Sequence, residues 1–95
     1  MSDRDSKAQG QFTVTNELGL HFRAAAMVVR TLGDFDSQVT ISNGQTAADG
    51  RSVLDLMTLA ATRGTTLDVT AVGGDAEKAL EALGALIALD VSRNG

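Results

Sequence analysis

The residues able to do chemistry gather in one short stretch, Gly19-Leu20-His21-Phe22-Arg23-Ala24. It holds the only histidine of the chain, with a glycine two residues before it and an arginine two residues after it. A neutral imidazole nitrogen is a nucleophile near neutral pH, and a guanidinium is a permanent, fork-shaped cation. Together they suit attack on, and retention of, an anionic group. The stretch also falls where a strand-like run, Phe12 to Thr15, gives way to a helix-like run, Ala24 to Leu32. The first N–H groups of a helix lack backbone partners, so a helix start is a natural place for an anion.

The elements that must hold this turn still read as β-α-β-β-α-β-α. Phe12 to Thr15 alternates apolar and polar residues, which predicts a half-buried strand with Phe12 and Val14 inward. Ala25, Val28, Val29 and Leu32 then recur at helical spacing, and Gly33 is expected as a left-handed C′ residue. Gln38 to Ser42 alternates again. Asn43-Gly44 predicts a hairpin with a short return strand, Gln45 to Ala48. Ser52 with Asp55 resembles a capping box opening a helix to about Ala61, with Val53, Leu56, Met57 and Ala60 inward and Gly64 as its stop. Thr66 to Val72 is the clearest strand, with Leu67, Val69 and Ala71 on one face. Asp75 is expected to cap a last helix from Ala76 to about Leu89. That helix carries Ala76, Ala79, Leu80, Leu83, Leu86 and Ile87 in an apolar stripe. Gly84 inside it costs about 1 kcal/mol relative to Ala and allows close packing. The series predicts a largely antiparallel sheet with helices on one face and Thr, Gln and Asp side chains on the other.

Bulk properties narrow the function. Ninety-five residues make one small domain, and only 3% are aromatic, so the core must be built from Ala, Val, Leu and Ile. The net charge of −4 argues against a counterion-displacing nucleic-acid surface, and the few aromatics against base stacking. No run of apolar residues is long enough to span a membrane. With one histidine and no cysteine, a zinc-type cluster is excluded, no cofactor is implied, and a reducing cytoplasm is compatible. Residues 1–10 are polar, lack the apolar core of a signal peptide, and are expected to form a flexible tail ahead of a domain over 11–95.

The chain resembles the HPr family, the histidine-containing phosphocarriers of the bacterial phosphotransferase system. The resemblance covers about residues 11 to 90. It is carried by Asn16-Glu17-Leu18-Gly19-Leu20-His21-Phe22-Arg23-Ala24-Ala25, by Asn43-Gly44, by Gly50-Arg51-Ser52, and by Gly64-Thr65, in matching order and spacing. It implies an α+β open-faced sandwich: a four-stranded antiparallel sheet, order 1-4-2-3, with three helices on one face. It also implies that His21 carries phosphate on Nδ1 and that Arg23 helps hold the phosphoryl group. The implied partners are enzyme I as donor, an enzyme IIA-type acceptor, and a kinase/phosphorylase acting on Ser52, for a cytoplasmic monomer that is a carrier rather than a turnover enzyme. Three positions depart from the family's habit. Ala24 stands where proline is usual, Phe22 where a small residue is common, and Asp55 where relatives often have lysine.

Several residues keep two readings. Ser52 is either a regulatory phosphorylation site or simply a helix N-cap. Leu20, Phe22, Val53, Leu54 and Met57 form an apolar docking patch around His21, or Phe22, Val53 and Met57 belong to the core. A phosphocarrier is the first functional reading. A regulatory module of the same fold, signalling by its phosphorylation state, is the second. A small hydrolase using His21 as general base is the third, and it lacks an obvious carboxylate partner.

Overall fold

The computed structural model describes residues 6–15 and 17–88. Its elements run β1 (Lys7–Thr13), α1 (Phe22–Leu32), β2 (Gln38–Ser42), β3 (Ala47–Asp49), α2 (Val53–Thr58), β4 (Thr66–Val72) and α3 (Ala76–Ala88). The strands form one antiparallel sheet in the order β1-β4-β2-β3, as the family resemblance implies.

Alternation decides which sheet face is wet. Val39, Ile41, Leu67, Val69 and Ala71 are buried beneath the helices, while Gln9, Gln11, Thr13, Gln38, Thr40, Thr66 and Asp68 are exposed on the far side. On that wet face Gln11 donates to Asp68 Oδ1 at 2.7 Å. Helix stripes supply the other wall of the core: Ala25, Val28 and Leu32 from α1, Leu56 from α2, and Ala76, Ala79, Leu83 and Leu86 from α3. Each buried Leu or Val contributes about 1.5–3 kcal/mol. Phe12 packs against this core, and a Cβ on Gly84 would stand 2.9 Å from its ring. The helical glycine therefore makes room for the Phe12 ring of β1 against α3.

Strand β1 begins at Lys7, so the predicted tail is too long by four residues. Lys7 to Thr13 pairs residue for residue with Val72 to Thr66. The segment's own polar composition gives no strand signal; the ladder offered by β4 supplies the order. Val14 and Thr15 lie past the strand's end, yet Val14 is buried and still exchanges hydrogen bonds with Thr65 and Gly64. Residues 1–5 lie outside the described residues, as does Leu89, the expected end of α3.

Helix boundaries moved for identifiable reasons. Helix α1 starts at Phe22 rather than Ala24, because His21 serves as its N-cap. Gly33 ends it in a right-handed conformation (φ −61°), not the expected left-handed one, and its N–H bonds Val29 O at 3.0 Å. The hairpin loop is wider than two residues: Asn43 Oδ1 accepts from the N–H groups of Gln45 and Thr46, which delays β3 to Ala47. Helix α2 stops at Thr58, short of Ala61, because Ala60 takes a left-handed backbone (φ 47°). Gly64 instead serves the turn into β4. The Asp75 carboxylate bridges to the segment ahead of β2. It accepts from Asp36 N–H at 2.9 Å, from Ser37 N–H at 3.0 Å and, through a short bond, from the Ser37 hydroxyl.

Candidate functional site

The turn between β1 and α1 is clamped by backbone. Gly19 is left-handed (φ 70°), and a Cβ there would lie 2.4 Å from Ala61 O. Only glycine fits both demands. The clamp itself is the bond from Leu20 N–H to Ala61 O, 2.8 Å, which ties the turn to the loop that follows α2. His21 N–H then bonds Gly19 O at 3.0 Å.

These contacts deliver His21 to the N-cap in an extended backbone (φ −90°, ψ 175°), and its carbonyl accepts the first helical bond, from Ala25, at 2.9 Å. Its side chain acts as the cap. Nδ1 accepts from the N–H of Ala24 at 3.4 Å, beyond the usual hydrogen-bond range and correspondingly weak. An N–H donor requires an unprotonated Nδ1, which places the ring proton on Nε2. Nε2 is buried, with no hydrogen-bond partner among the described residues. Nδ1 therefore faces the positive end of α1 with its lone pair intact, the protonation state a nucleophilic nitrogen needs.

Arg23, at the second position of α1, is exposed and makes no ion pair among the described residues. Its charge remains available to an incoming anion. No group of three or more His, Cys, Asp or Glu that could hold a metal occurs among the described residues. Beneath the turn lies an apolar cavity of about 40 Å³, lined by Leu20, Ala24, Val28, Leu56, Leu83 and others, which offers no polar chemistry.

A sequence profile described as "PTS HPr component phosphorylation site" matches residues 8–88. The chain belongs to the HPr family. It is 39% identical over 82 residues to the phosphocarrier protein NPr of Shewanella violacea, covering 86% of this chain and 90% of that one. It is 40% identical over 87 residues to the multiphosphoryl transfer protein of Salmonella typhimurium. That match takes in 88% of this chain but spans only 23% of the relative's length. Among solved structures, an HPr from Thermoanaerobacter tengcongensis superposes with a TM-score of 0.85 at 29% identity, covering 90% of this chain and 96% of that one.

Within this HPr fold the five predicted docking residues separate. Phe22 (67% exposed), Leu54 (79%) and Met57 (39%) face solvent, so Phe22 and Met57 are not core residues. Leu20 and Val53 are partly buried and packed against the core. Three exposed apolar residues lie outside that predicted set, Leu18 (71%) in the turn, Met27 (38%) on α1 and Val72 (40%) at the end of β4. Met27 falls off the buried stripe of α1, and that offset was the available signal. Ser52 caps α2, its Oγ accepting from Asp55 N–H at 3.1 Å. The reciprocal half of the predicted capping box does not form: Asp55 Oδ2 accepts from Asp49 N–H at 3.2 Å instead. The neighbouring Arg51 is spent on structure, donating to the carbonyls of Phe35 and Ser37.

Proposed function

We propose that this phosphotransferase-system phosphocarrier accepts a phosphoryl group on Nδ1 of His21 from phosphorylated enzyme I and passes it to an enzyme IIA-type acceptor. The observation that carries the reading is Nδ1 of His21 at the N-cap of α1, accepting from Ala24 N–H, two residues from an exposed Arg23 that has no ion pair among the described residues. The Nδ1 lone pair forms the new bond to phosphorus as the donor's bond breaks, and that bonding pair leaves with the donor. Phosphoryl transfer is governed by positioning and charge. Arg23 supplies charge-assisted hydrogen bonds to the phosphoryl oxygens, and the end of the helix favours the phosphate dianion. The product is the modified chain itself, discharged only by an acceptor, so the protein is a carrier and not a turnover enzyme. On this reading the protein works in the cytoplasm.

Exposed Phe22, Leu54 and Met57, joined by Leu18 and Met27, form the apolar surface on which these partners dock. Ser52 is the site for a regulatory kinase. A phosphate there would sit at the start of α2 and repel an acidic partner surface.

Incubation with enzyme I and phosphoenolpyruvate should give one acid-labile phosphate per chain, abolished by His21→Ala. An unlabelled wild type across several enzymes I would refute the reading.

Similarity to NPr of Shewanella violacea across nearly that protein's whole length favours a second reading, a nitrogen-type regulatory branch in which the phosphorylation state is the signal. Parallel transfer rates from a sugar-type and a nitrogen-type enzyme I decide between the branches. At least tenfold faster labelling by the sugar-type donor would exclude the regulatory one.

A further inference from the structure

Both ring nitrogens of His21 are engaged or enclosed. Nδ1 points at the N–H of Ala24, 3.4 Å away, and Nε2 is buried with no partner among the described residues. A bond to phosphorus must form with the Nδ1 lone pair, the same lone pair that accepts from the Ala24 amide. A phosphorus atom with its three oxygens does not fit into a 3.4 Å gap. A bond from Nδ1 to phosphorus therefore has to displace this hydrogen bond.

We propose that the backbone N–H of Ala24 is a latch on the nucleophile: His21 reacts only after its imidazole turns off this N–H, and the bond to Ala24 sets how often it does. The proposal rests on the reading of Nδ1 as the phosphoryl acceptor. Two opposing effects keep the latch light. The swing breaks one long, weak hydrogen bond, and it exposes to water an Nε2–H that is desolvated and unsatisfied in the capped position. Both positions are thus populated, and side-chain rotation is fast compared with turnover. In the open position Nδ1 attacks, the donor's bond to phosphorus breaks with its electron pair leaving on the donor, and the proton stays on Nε2. Ala24 is a positioning residue, since its N–H acts through His21 and never on phosphorus.

The latch can be removed cleanly. The Ala24 N–H has no helical acceptor, because the first helical bond is made by Ala25 to His21 O. A proline at this position therefore costs no helix bond, and its ring carbon would occupy the place of the donated hydrogen. A backbone ester at position 24 removes the N–H alone and covers the case in which Ala24→Pro misfolds.

The full chain, with 15N-labelled histidine, is followed by NMR for the Nδ1 and Nε2 resonances, and in parallel for its initial rate of phosphorylation at limiting enzyme I. Both variants should move the Nδ1 resonance to that of a free acceptor and speed exchange of the Nε2 proton with water. Both should also raise the initial rate by about three- to tenfold, the effect of deleting one modest neutral hydrogen bond. An Nδ1 resonance identical in the ester variant and the wild type would overturn the latch. So would a shifted resonance with an unchanged or slower rate. A wild type that takes no phosphate refutes the phosphocarrier reading and the gating with it, while the resonances still report separately whether Ala24 caps the ring.

Discussion

Replacement of Gly19 by alanine tests whether the active turn is held by its fit to the loop after α2. Two costs are separable. Placing any L-residue at φ 70° costs about 1–2 kcal/mol in backbone strain. The new Cβ also lies 2.4 Å from Ala61 O and 3.0 Å from Thr62 Cα, both backbone atoms that cannot rotate away. Overpacking of this kind costs about 1–3 kcal/mol. Gly44 is the internal control: it too has positive φ (96°), but a Cβ there meets nothing within 4 Å. Gly44→Ala should therefore lose about 1–2 kcal/mol. Gly19→Ala should lose about 2–5 kcal/mol, a large share of the roughly 5–14 kcal/mol expected for a domain of this size. Urea unfolding gives both numbers directly. By calorimetry the Gly19 variant should melt at least about 10 °C below the wild type. Relief of the clash would pull Leu20 N–H from Ala61 O, so any folded Gly19→Ala should also accept phosphate more slowly than Gly44→Ala. Equal destabilisation by the two substitutions would refute the argument, because it would leave only backbone strain and no clamp.

Other consequences follow from single features. Ala60→Gly should stabilise the fold by about 0.5–1 kcal/mol in urea titration, because glycine adopts the left-handed backbone at φ 47° without strain; a loss of stability would contradict it. The Asp75 carboxyl is held below its ordinary value of 3.8, chiefly by the Ser37 hydroxyl and then by the Asp36 N–H. Its stabilising effect is therefore complete above that value and lost as pH falls below it. Urea midpoints of wild type and Asp75→Asn should differ most near neutrality and converge in acid, and a pH-independent difference would rule out the carboxylate as the source. Phe22→Ala should leave unfolding within about 0.5 kcal/mol of wild type, since the ring is 67% exposed, yet weaken binding to enzyme I about tenfold or more, measured calorimetrically. With β1 and β3 both open edges of the sheet, light scattering should still give a monomer; a dimer would point to pairing along one of them.

Much of this protein is decided by neighbours in sequence. Thr66 to Val72 alternates so regularly that β4 needed no tertiary information, and the α3 stripe, the Ser52 cap and the Asn43-Gly44 hairpin were equally local. The turn around His21 was legible for the same reason: residue type and spacing over six positions define the chemistry and its place at a helix start. What the tertiary structure decided depends on residues far apart in the chain. Lys7 to Gly10 became strand because β4, about sixty residues on, offered a ladder. Helix α2 ended early where Ala60 turned left-handed and the chain turned back to receive Leu20. Phe22 and Met57 read as core or surface with equal ease, because an apolar side chain is buried only if another element covers it, and here none does. The bond from Ala24 to Nδ1 spans only three residues, yet it too had to be seen. Local sequence places a histidine at a helix start; the clamp on Ala61 and the packing around the ring fix which nitrogen meets the helix, and composition carries no record of either.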